Sequence, residues 1–222
     1  MSKPNLAGAA PLLAAPLVVI VAALVSPTLS DEASKQVAAF GAHHGAMVAG
    51  ALLQGLSIVL LMAGAAWLAS ALAPGAHATA IAGGALAIFG SLPVVYDDGV
   101  HAAVGALALK LDPAHATAMI DHVVSSAGVK AVEPFSLLGD LGLALLGVAA
   151  ARAGASRWTA AAIAIGAFGE GAGFATATKP LVIAAFALLF VGLVAVVRML
   201  VTRAKAHRPE PKLDALASAS RA

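Results

Sequence analysis

The stretch LVIAAFALLFVGLVAVVRMLV, Leu181 to Val201, carries one charged residue, Arg198, close to its end. As a helix it is about 31 Å long. A bilayer's hydrocarbon core is about 30 Å thick and takes about 20 apolar residues to cross. The stretch therefore reads as a transmembrane helix, and its neighbours read the same way. Of the 222 residues, 61% are hydrophobic and 11% charged, where a soluble domain carries about 25% charged residues. Mean hydropathy is +0.95. Lipid is the solvent this composition suits. The apolar residues are mostly Ala, Leu, Val and Gly, and the small ones let helices approach closely. There is no cysteine, which excludes disulfides, thiolate metal sites and cysteine nucleophiles. The net charge is only +2. The pI of 9.2 reflects a basic tail, so nucleic acid is not an expected partner.

Five further spans precede this one. They are Leu6 to Val25, about His44 to Leu72, a third from Thr79 interrupted by Pro93, Phe135 to Ala151, and Trp158 to about Ala177. The first reads as a retained helix rather than a cleaved signal peptide, because no A-x-A cleavage site follows it. The expected fold class is all-α: a polytopic membrane helix bundle of six transmembrane helices in residues 1–203. A polar, disordered cytoplasmic tail, residues 204–222, follows. Lys and Arg near the span ends set the orientation. Lys3, Arg152, Arg157, Arg198, Arg203, Lys205, Arg208 and Lys212 fall on one side, and Lys35, Lys110, Lys130 and Lys179 on the other. Both termini are therefore expected in the cytoplasm. The longest outer loop, Leu111 to Pro134, opens with Asp112 as N-cap and Pro113 at the first helical position. It is expected to hold a short surface helix from Pro113 to about Val124.

Ionisable groups collect toward the outer face. In LPVVYDDGVHAAVG, Leu92 to Gly105, Asp97, Asp98 and His101 sit inside an apolar segment. His43 and His44 open the second span, Asp140 lies in the fourth and Glu170 in the fifth. Intramembrane ionisable groups are costly and face a bundle interior or a wet cavity, so a polar pocket open to the outside is expected. Imidazole and carboxylate are ligands that zinc, iron or manganese accept without cysteine. The candidate metal set is His44, Asp98, His101, Asp140 and Glu170. The surface helix would bring His115 or His122 near Asp97 and His101. The plainer alternative leaves Asp97, Asp98, His43 and His44 as boundary groups and makes Asp140 and Glu170 buried acids that tie helices together. In GEGAG, Gly169, Gly171 and Gly173 surround Glu170 and point to close helix packing or to a broken helix lining a site. No HExxH, Gly-x-Ser-x-Gly or Walker pattern is present.

Four stretches carry a resemblance: LAGAAPLLAAPLVVIVAALVSP, VAAFGAHHGAMVAGALLQGLSIVLLMAGAAWLASAL, ARAGASRWTAAAIAIGAFGEGAG and the opening one. Together the chain resembles small uncharacterised multi-pass bacterial integral membrane proteins of about six helices, common in high-GC genomes. The carrying motifs are an R-x-G-x-x-R-W inner loop and a His before the second span. The resemblance implies a fold and a bacterial inner (plasma) membrane location, and it assigns no activity or site.

Three functions follow as expectations. The first is a non-enzymatic membrane subunit or a small-ligand or lipid binder with a polar pocket in its outer half. The second is a metal-dependent membrane enzyme using the His/Asp/Glu cluster. The third is a proton- or ion-coupled transporter, against which stands the lack of a convincing internal repeat. Expected partners are membrane lipids, other membrane subunits, or a second copy of the chain.

Overall fold

The computed structural model describes residues 6–28, 30, 32–108 and 110–206. Within these, the side chains at 6, 96–98, 101, 102, 108, 128, 129 and 131–133 lie outside the description. A short 3-10 turn, Leu6–Gly8, leads into α1 (Ala9–Val25). Then follow α2 (Ala33–Ala108), α3 (Pro113–Val124), α4 (Ala127–Arg152), α5 (Arg157–Ala175) and α6 (Lys179–Ala206). No strand occurs among the described residues.

The second helix is not one rod. Its backbone leaves helical geometry at His43 and at Ala76, dividing it into limbs α2a (33–42), α2b (44–75) and α2c (77–108). The second break follows Pro74-Gly75, and there the chain reverses: a Cβ on Gly84 would sit 2.5 Å from Ala69 Cβ. Pro93, by contrast, lies inside uninterrupted helix. The interruption expected there does not occur, and α2c continues to Ala108. A proline inside an apolar helix is tolerated where packing and local adjustment re-satisfy the freed carbonyl.

Close glycine contacts fix how the limbs pack. A Cβ on Gly64 of α2b would lie 2.5 Å from Leu12 Cα of α1. One on Gly142 of α4 would lie 2.7 Å from both Ala87 Cα and the Gly83 carbonyl oxygen of α2c. One on Gly147 of α4 would lie 3.1 Å from the Ala160 oxygen of α5, and one on Gly166 of α5 would lie 2.7 Å from Leu189 N of α6. Lys179, at the start of α6, donates through Nζ to the Ser26 carbonyl just past α1. Each helix thus packs antiparallel on the next, and α6 returns to α1. The ring closes on Leu12, Leu68, Leu146, Ile163, Leu189 and Leu193, none of which retains accessible surface.

Among the described residues, three helices contain segments long and apolar enough to cross a membrane: Ala33–Val95 within α2, Pro134–Arg152 and Lys179–Ala206. The first, 63 residues, would reach about 95 Å if straight. Its reversal at Ala76 shortens each limb to bilayer scale. Gly90 of α2c abuts Gly139 of α4, and this register sets Val95 opposite Pro134 and residue 77 opposite Arg152. Arg152 confirms the lower edge by donating from Nη1 to Thr79 Oγ1. The apolar segments of α2c and α4 therefore begin and end level with each other, over about 28 Å. Around the ring, Leu17, Leu24, Leu52, Val59, Phe89, Leu137, Ile165 and Val191 turn outward with 46–70% of their surface accessible. Large apolar side chains exposed on every helix of the ring suit contact with lipid better than with water.

Local signals explain the turns. Past the end of α4, Gly154 adopts φ of +91°. Gly154 N–H donates to the Ala151 carbonyl and Ala155 N–H to the Ala150 carbonyl, the paired bonds of a Schellman cap, which glycine accommodates without strain. The helix α3 begins where its cap signal places it: Asp112 accepts from the N–H groups of Ala114 and His115. Ala116 and Ile120 bury against Ala33, with Val37 of α2a and Val104 of α2c beside them. The His115 backbone N–H, and then its ring, hold the Asp112 carboxyl below its ordinary range. The His115 ring is thus bonded within its own cap, and His122 is exposed.

A candidate acid pair toward one end of the bundle

Asp140 follows Pro134 by six residues, about 9 Å of helix inside the edge of the apolar segment. It is 7% exposed. Its carboxylate points at the neighbouring helix, where a Cβ on Gly171 would lie 3.3 Å from Asp140 Oδ2. The next residue back along α5 is Glu170. It is half-buried as a residue, yet its Oε2 is fully enclosed and has no hydrogen-bond partner among the described residues. Glu170 and Gly171 are consecutive on α5, so Glu170 stands beside the position that the Asp140 carboxylate faces. No ion pair reaches either of them among the described residues.

The glycines around Glu170 have separate tasks. Cβ atoms on Gly169 and Gly173 would lie 3.2 Å from Ala185 Cβ and 2.8 Å from Val182 N, so these two seat α5 on α6. Gly171 faces α4 and leaves room for the Asp140 carboxylate. The helix α5 runs through all three without a break, so the packing explanation of GEGAG holds and the broken-helix one does not. Sequence reasoning had treated the three glycines together. The signal it passed over was the opposite direction of the middle one, two residues from each of its neighbours, which in a helix is about 200° of rotation.

The other candidate ligands stand elsewhere. His44 is exposed beside Phe40, their ring centroids 6.4 Å apart. His43 is the residue at which α2a meets α2b. Asp97, Asp98 and His101 lie on the helical backbone of α2c, and their side chains are outside the described residues. Asp98 and His101 follow Gly90 by about 12 Å and about 16 Å of helix, whereas Asp140 is adjacent to the glycine that Gly90 touches. Among the described residues no three His, Asp or Glu side chains gather as a metal's ligand set.

Comparison with known protein families, curated proteins and solved structures finds no match.

Proposed function

We propose that the chain is a multi-pass protein of a bacterial plasma membrane. It crosses six times with both termini in the cytoplasm. It acts without catalysing a reaction, as a small-ligand binder or membrane subunit, through the Asp140–Glu170 site in its outer half. The observation that carries this reading is Asp140 Oδ2 facing Gly171 of the neighbouring helix, next to Glu170, whose Oε2 is enclosed and has no hydrogen-bond partner among the described residues. An unsatisfied buried polar atom costs about 1–3 kcal/mol. An apolar side chain would avoid that cost, so a bound ligand accounts for the acids better than packing does. The exposed large apolar side chains support the membrane setting. The cations support the orientation: Arg152, Arg157, Arg198, Arg203 and Lys205 gather at the end opposite the acids, with a Trp158 ring 5.4 Å from the Arg157 guanidinium.

A metal-dependent enzyme built on His44, Asp98, His101, Asp140 and Glu170 needs a wider convergence than this pair. The rise along α2c weighs against it.

Reporter fusions test the topology. Alkaline phosphatase, active only outside the cytoplasm, is expected to be silent when fused after Ala206 and active when inserted between Ser125 and Ser126. The reverse pattern would put the acid pair in the inner half and end this reading.

A further inference from the structure

We propose that the Asp140–Glu170 pair is a proton site, holding a single proton between its two carboxyls, which reaches it from the outer face. The proposal rests on the six-span reading above and names the ligand of that same site. The ligand must be cationic or a hydrogen-bond donor, because both protein groups are acceptors when ionised and no fixed cation reaches them among the described residues. What the surroundings offer then decides which one. Calcium takes six to eight oxygen ligands and magnesium six, and a zinc site takes three or four protein ligands. Around the pair, α4 and α5 are continuous helix. Beside the pair their backbone carbonyls already accept intrahelical N–H groups, which weakens them as ligands for a cation. Among the described residues no third His, Asp or Glu completes a metal set. A proton needs only two oxygens. With it, one carboxyl becomes a neutral donor, the other remains an acceptor, and the enclosed Oε2 gains its missing partner. The pair's charge falls from −2 to −1, which removes the repulsion between two acids in a low-dielectric site.

The titratable groups on the surrounding elements are few. On α6, Lys179 is engaged with the Ser26 carbonyl. On α2c, Asp97, Asp98 and His101 stand on the backbone beyond the apolar edge, and on α4 so do Glu133 and the exposed Lys130. This end of the bundle is the acidic one, and the arginines of the described chain lie at the other. A proton thus has a shorter and more acidic approach from the outer face.

A hydrophobic carbodiimide tests the proposal, since it adds to protonated carboxyls within a membrane and leaves carboxylates alone. The intact protein in bilayer vesicles is treated from about pH 5 to about pH 9, the range buried carboxyls can reach, and the adduct is located by peptide mass. The expected result is a label on Glu170 that declines as pH rises and is unaffected by sodium or magnesium. Asp140→Asn is expected to leave Glu170 labelled but move the decline to lower pH, because the neighbouring charge is gone. Glu170→Gln removes the Glu170 label. Protection by sodium or magnesium at constant pH would replace the proton with that ion and overturn the proposal. So would a label absent at every pH, or a decline unmoved by Asp140→Asn. Each of these leaves the reporter result intact, whereas an inverted reporter pattern overturns the six-span reading itself.

Discussion

Gly142→Val is expected to prevent the bundle from assembling. The new side chain would begin 2.7 Å from Ala87 Cα and 2.7 Å from the Gly83 carbonyl oxygen. Both are backbone atoms of α2c, so no side-chain rotation relieves the clash, and α4 and α2c must separate. Overpacking costs about 1–3 kcal/mol where side chains can shift and more where they cannot. About 3 kcal/mol or more is expected here, read as a lowered unfolding temperature in detergent or as loss of membrane-inserted protein. Gly55→Val is the control. Nothing lies within 4 Å of a Cβ at Gly55, and Leu52, Leu56 and Val59 beside it face outward. Its unfolding temperature should stay within a degree or two of the parent's. Equal losses in both variants would mean that the α2c–α4 contact is not as close as described.

Replacing both acids at once, Asp140→Asn with Glu170→Gln, is expected to stabilise the protein. A charged carboxylate at the centre of a helix in lipid costs at least ~2.5 kcal/mol on insertion scales. The amides keep the shape of the acids and can bond to each other. A gain of about 2 kcal/mol is expected in thermal or denaturant unfolding, measured above neutral pH where the bound proton is scarcer. The single replacements should not add up to the double, because removing either acid relieves the same repulsion. Loss of stability in the double variant would instead make the acids structural ties between α4 and α5, the plainer alternative open from the sequence.

Much of the fold was legible because lipid makes strong demands on sequence. The run from Leu181 to Val201 could hardly be anything but a span, and α6 contains it. Asp112-Pro113 marked the start of α3 because an N-cap acceptor and a missing N–H act locally. Pro93 misled for the opposite reason. Its effect on a helix depends on what packs around it, and the neighbours of α2c are distant in sequence. The break at His43 was hidden likewise: α2a is held by Ala33 and Val37 against α3, a contact across some eighty residues of chain. At the site, depth along each span was estimated from residue counts, which is why Asp140 and Glu170 were placed in one candidate set with His44, Asp98 and His101. Rotation was not readable. Which way Asp140 faces depends on the Gly90–Gly139 contact and on the space at Gly171, and a run of small residues leaves every face of a helix equally able to pack.

The central claim is that Asp140 of α4 faces α5 at Gly171 and Glu170. Because the chain contains no cysteine, paired cysteines report on it against a clean background. A disulfide requires Cβ atoms about 3.5–4.5 Å apart. A Cβ at 171 would lie 3.3 Å from Asp140 Oδ2 but more than 4 Å from the rest of that side chain, so Asp140→Cys with Gly171→Cys should be joined in the membrane by a short bifunctional thiol reagent rather than by a direct disulfide. Asp140→Cys with Phe168→Cys should not, since Phe168 is exposed on the lipid side of α5. Cross-linking at 171 and not at 168 is the predicted result. Cross-linking at 168, or at neither position, would contradict the pairing and remove the site.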